Sequence, residues 1–132
     1  MSSSGKRFPS LGARGQRRYN THLPAMTQTQ KSRREVLERF AEQNPTDAFA
    51  RYGLALECAK LGDNGAADGH FRRLLELHPN YVAGYQQYAQ FLAGLERREE
   101  ARKLLSDGIV IAQKAGDTHA RDEMQSSLNL LR

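Results

Sequence analysis

From Val36 onward apolar residues return every three or four positions, and the whole pattern returns 34 residues further on. The stretch from Ala48 to Tyr81 shows it best. Leu54, Ala55, Cys58 and Leu61 fall on one stripe, which predicts a helix over 48–61. Ala67, Phe71, Leu74, Leu75 and Leu77 fall on another, with Arg72, Arg73 and Glu76 opposite, which predicts a helix over 65–77. Gly62-Asp63-Asn64-Gly65 between them is a turn, because Gly and Asn accept the positive φ that closes a helix. His78-Pro79-Asn80 stops the second helix. Thr46 or Asp47 caps the first, Asp47 being better placed for the helix dipole.

The repeat is read by sliding the chain on itself. Leu54 meets Tyr88, Ala55 meets Ala89, Cys58 meets Leu92, Leu61 meets Leu95, Ala67 meets Ala101, Phe71 meets Leu105, Leu75 meets Ile109 and Leu77 meets Ile111. In the other direction Pro79 meets Pro45, Phe71 meets Leu37 and Leu74 meets Phe40. A first helix, Thr27 to Gln43, with Val36, Leu37, Phe40 and Ala41 as its stripe and Thr29 or Ser32 as its cap, is therefore a half-unit. Gln113 stands where Pro79 would predict a stop, so the last helix of the second unit runs on to about Ala115. Gly116-Asp117 turns the chain into a final helix with Ala120, Met124, Leu128 and Leu131 inward. A shift of two extra residues aligns Met124 with Tyr88 and Leu128 with Leu92, so this helix covers the end of the stack. Ala55 and Ala67 let paired helices approach closely, and Gly65 and Gly69 read as packing space. The domain plan is a tail over 1–26, then 27–132 as a half-unit (27–45), two repeats (47–80 and 81–115) and a capping helix (117–131).

Charge separates the tail from the rest. Residues 1–34 carry eight Lys or Arg and no acid, whereas from Glu35 onward the balance is −3, so the basic character belongs to the head alone. Rich in Ser, Gly, Pro and Arg and without a period, residues 1–25 are expected to be disordered. Three readings stand for them: a solvated tail, with synthesis starting at Met26 as one form of it; an arm for phosphate backbones or anionic surfaces through Lys6, Arg7, Arg14, Arg17 and Arg18; or an organelle-targeting leader.

Catalytic chemistry finds no constellation. Cys58 is alone on an apolar face and reads as a buried hydrophobe. His22, His70, His78 and His119 are scattered and lack Cys or carboxylate partners at ligand spacing, so no metal or other cofactor is expected. Asp63-Asn64-Gly65 lacks the later acids of a calcium loop, and no phosphate loop or nucleophile elbow appears. No run approaches the roughly 20 apolar residues of a membrane span. A cytoplasmic location is the default, or an organelle if the head is a leader.

The order Leu54, Ala55, Cys58, Gly62, Ala67, Phe71 and Pro79, echoed by Tyr88, Ala89, Leu92, Ala101 and Leu105, resembles the tetratricopeptide repeat family. The resemblance covers about 27–115 and implies an all-α, short right-handed solenoid of antiparallel helix-turn-helix units. Arg51, Glu96, Gly108 and Gln113 depart from the family pattern. It also implies a non-enzymatic adaptor that binds an extended peptide or a partner helix on its concave side. Carried onto this chain, that side consists of Phe49, Tyr52, Leu56 and Lys60, followed by Ala83, Gln86, Gln87 and Gln90. Two rival expectations remain, nucleic-acid or anionic-surface binding through the head and self-association of the repeats, and the identity of the partner is beyond the sequence.

Overall fold

The structure, a computed structural model, describes residues 33–131. Six helices and no strand occur among them: α1 (33–43), α2 (Ala48–Lys60), α3 (Asn64–Leu77), α4 (Val82–Gly94), α5 (Arg98–Ala115) and α6 (Thr118–Leu130). The expectations for the head, including Lys6, Arg7, Arg14, Arg17 and Arg18, lie outside the described residues.

Aspartates start three of these helices. Asp47, Asp63 and Asp117 each accept from a backbone N–H three residues on, at 2.8, 3.2 and 3.0 Å, satisfying a donor that the first turn leaves without a helical partner. Helix α5 starts differently. Arg97 offers no side-chain cap; Glu99 and Glu100 sit in the first turn, where the helix dipole favours a negative charge. Gly62 and Gly116 both take the left-handed conformation. At the position of Gly62 in the next repeat stands Glu96, which takes the same conformation at φ 63° without being a glycine. Gln113 does let α5 continue, and Gly116 ends it, with the Asp117 N–H donating to the Ala112 carbonyl at 2.9 Å.

From α2 onward each helix pairs with the next, and the first helices of the units form a layer in which α2 touches α4 and α4 touches α6. Helices α3 and α5 make no such approach. The stack therefore curves, closing on the side of α2, α4 and α6 and splaying on the side of α3 and α5. The core is where the repeat pattern put it: Leu54, Ala55, Cys58, Ala67, Phe71, Leu74, Ala89, Leu92, Ala101, Leu105 and Met124 are almost wholly enclosed. Phe71 stacks on Tyr88 with ring centroids 5.1 Å apart and leans on Phe91 at 5.6 Å.

Several expected inward residues are outside. Leu61 and Leu95 follow the last turns of α2 and α4 as C-caps and are exposed, because the chain is already leaving the stack there. Val36 and Phe40 are exposed while Leu37 and Ala41 turn inward, since no described helix precedes α1 to cover its other side. Gly65 and Gly69 are not packing space, because a Cβ on either would meet open solvent. Close approach instead requires Gly84, where a Cβ would come within 3.0 Å of Leu74 and Leu75, and Gly108, where it would come within 2.7 Å of Tyr85 Cβ and Met124 Sδ.

Candidate ligand-binding face

The residues expected on the inner side of the layer of α2, α4 and α6 include Phe49, Tyr52, Leu56 and Lys60 of α2. Phe49 is 77% exposed, an unusual state for a phenylalanine, and Lys60 is exposed as well. Tyr52 is half-buried against Tyr81, with ring centroids 5.3 Å apart and planes tilted by 55°. Burial, and after it the neighbouring Tyr81, pushes the Tyr52 hydroxyl above the usual tyrosine range. Leu56 packs partly into the core. This end of the face is accordingly an aromatic and aliphatic surface standing on rigid helix.

The α4 residues behave less uniformly. The Gln86 Nε2 amide donates to Glu123 Oε1 on α6 at 3.1 Å, so this glutamine links two helices of the layer. His119 lies 3.3 Å from the other Glu123 oxygen. Gln87 is half-buried and Gln90 exposed, Gln90 lying on the rim of a slot between α4, α5 and α6. Sequence reasoning missed Tyr81 and Glu123 as members of this face. Tyr81 marks the boundary of the repeat in the sequence; it directly precedes α4 and its ring reaches back to α2. The signal for Glu123 was available: with the two-residue shift it occupies the position of Gln87.

The opposite, splayed side holds two clefts of about 420 Å³ each. They are the same cleft one repeat apart, since Glu38, Glu42, Arg51, Leu54 and His70 of one occupy the positions of Arg72, Glu76, Tyr85, Tyr88 and Leu104 of the other. The equivalence extends to a hydrogen bond. Tyr85 Oη donates to the Pro79 carbonyl at 2.7 Å, and Arg51, 34 residues earlier, donates to the Pro45 carbonyl at 3.4 Å. Arg51 thus departs from the family's aromatic residue yet keeps, weakly, its polar task. Beside the second cleft, Asp68 accepts from Tyr88 Oη at 2.6 Å and pairs with Arg72 at 2.6 Å and Arg97 at 3.7 Å. Burial, with the bond to Asp68 second, pushes the Tyr88 hydroxyl up to about 12. Bonding to Arg97 holds the Glu100 carboxyl below its usual range.

Among the described residues no group of three or more His, Cys, Asp or Glu could hold a metal ion, and no helix is long and apolar enough to cross a membrane. The fold and its inner face define a helix-turn-helix repeat protein. No family model matches the chain. A tetratricopeptide repeat domain protein from Salinibacter ruber, solved in solution, is 30% identical, covers 67% of this chain and 89% of its own, and superposes with a TM-score of 0.64. A TPR repeat-containing protein of Pseudomonas aeruginosa is 29% identical over 97 residues, spanning 74% of this chain and 92% of its own length. The TPR2B domain of yeast Sti1, solved as a complex with pHsp70, shares the fold at a TM-score of 0.72 and 16% identity, over 86% of this chain and 91% of that domain. The chain belongs to the tetratricopeptide repeat family.

Proposed function

We propose that the protein is a non-catalytic adaptor that holds an extended peptide, or one face of a partner helix, against the inner side of α2 and α4. The observation that carries this reading is Phe49, a large apolar side chain left in water one turn before Tyr52 on α2. Membership in a repeat family supports it, as does the solved complex of the Sti1 domain of the same fold. Phe49, Tyr52 and Leu56 offer apolar surface, and Lys60 adds a positive charge at the end of α2. An amide side chain can both donate to and accept from a peptide unit; Gln86 is engaged with Glu123, which leaves Gln87 and Gln90 for that role. All these residues stand on helices, so little ordering is required when a ligand arrives.

A peptide array of random extended segments tests the reading. Phe49→Ala and Tyr52→Ala should each weaken the best-bound segments by tenfold or more, roughly 1.4 kcal/mol, and Gln90→Ala by a few-fold, with helicity by circular dichroism unchanged. Lys103→Ala, on the splayed side, should bind as the parent does. Parent-like binding by both aromatic variants would overturn the proposal.

A further inference from the structure

The slot beside Gln90 is a packing position that the chain fills once and leaves empty once. On α4, Phe91 is partly buried and its ring leans on Phe71, so it plugs the space between the first repeat and α4. The alignment of Met124 with Tyr88 and of Leu128 with Leu92 places Ser127 of α6 at the position of Phe91. The three C-cap residues agree with that register, Leu131 of α6 matching Leu95 of α4 and Leu61 of α2. Where Phe91 has its ring, Ser127 has a hydroxymethyl group, and Phe71 is replaced by the smaller Leu105. What remains is an apolar slot of about 230 Å³ lined by Ala89, Ala93, Leu105 and Leu131, with Gln90 and Leu130 exposed at its rim. Leu130 is 84% exposed. The Arg102 guanidinium donates to the Leu131 carbonyl at 2.7 Å, fixing the last turn of α6 to α5 and so holding the slot's third wall.

We infer that this slot is a subsite for one aromatic side chain, phenylalanine by the chain's own precedent, carried by the peptide on the inner face. The inference rests on the proposed groove and adds its ligand's anchor residue. Size permits it: an apolar cavity of about 150 Å³ takes up benzene, and this one is larger. Position permits it too, since Gln90 belongs both to the groove and to the slot's rim. The occupant is apolar because the walls are alanine and leucine methyl groups. It is aromatic because the equivalent space one repeat earlier is shaped around a ring.

The probe is N-acetyl-L-phenylalaninamide, titrated into protein labelled at its methyl groups. The expected result is saturable shifts at Ala93, Leu105, Leu130 and Leu131, with a Kd on the order of 1 mM, and no such shifts with N-acetyl-L-alaninamide. Ser127→Phe should fill the slot from within, abolishing the shifts and raising the Tm. Should that variant fail to fold, Ala93→Leu, which narrows the slot from α4, is read in its place. Equal shifts from both probes, or undiminished shifts in the filled variant, would overturn the inference. Lys103→Ala, on the splayed side, must leave the probe's shifts unchanged. Probe binding without any array ligand would leave the slot standing and the groove reading lost; array segments held equally by parent and filled variant would do the reverse.

Discussion

The junction of α3 with α4 and the junction of α5 with α6 are built on one plan and filled by different side chains. In the first, Leu74 on α3 is fully enclosed and Gly84 on α4 makes room for it. In the second, Gly108 takes the position of Leu74, and Met124 of α6 comes down onto it. Ala120, at the position of Gly84, stays small as well, so Met124 and Tyr85 fill the space that a leucine occupies in the first junction. At Phe91 and Ser127 no neighbour fills the gap: the second junction is simply smaller by a ring. Volume is thus conserved where the backbones must touch and surrendered at the edge of the inner face, where an opening can serve a ligand.

The largest expected effect comes from forcing the second junction to copy the first. Gly108→Leu would drive a side chain into Tyr85 Cβ and Met124 Sδ, already 2.7 Å from a bare Cβ, and should cost about 3 kcal/mol in urea unfolding. Gly69→Ala, into open space on α3, should instead stabilise by about 0.5–1 kcal/mol, as alanine does in a helix interior.

Alkaline unfolding probes the polar side of the first junction, where Tyr88 reaches back from α4 to Asp68 on α3. Its hydroxyl titrates at about 12 in the folded protein and near 10 in an unfolded chain. A raised folded value means that the stabilisation is fully present below pH 10 and is lost as the pH climbs toward 12. The gap corresponds to about 2–3 kcal/mol. Tyr88→Phe should flatten the fall in stability over that window relative to the parent, which separates this hydroxyl from other groups titrating there. The smallest effect belongs to the turns. Glu96→Gly, giving the second repeat the residue that the first has at Gly62, should raise stability by about 0.5–1 kcal/mol by relieving the left-handed strain at φ 63°.

The two junctions also show what a sequence discloses. The 34-residue echo revealed helix order and nearly all of the core, and residue type pointed to the cap at Asp47, because those features depend on residue type at a fixed spacing. Leu61 and Leu95 looked inward for the same reason and are exposed, since periodicity does not report that a helix has reached its end. Gly65 and Gly69 misled, whereas Gly108, noticed only as a departure from pattern, proved to be a close contact; which glycine faces a neighbour is a tertiary fact. On the inner face, Phe49, Tyr52 and Gln90 were named from the family's geometry alone. The Tyr52–Tyr81 pair, the Gln86–Glu123 bond and the slot over Ser127 depend on contacts between helices far apart in the chain, and no local pattern carried them.

The central claim is that the inner face binds and the splayed side does not. Amide chemical-shift mapping of the full chain with an array-selected peptide tests it most directly. Perturbations should gather on Phe49, Tyr52, Leu56, Gln87 and Gln90, leaving Arg72, Glu76, Lys103 and Asp107 unmoved. Shifts confined to those four residues, around the cleft between α3 and α5, would contradict it.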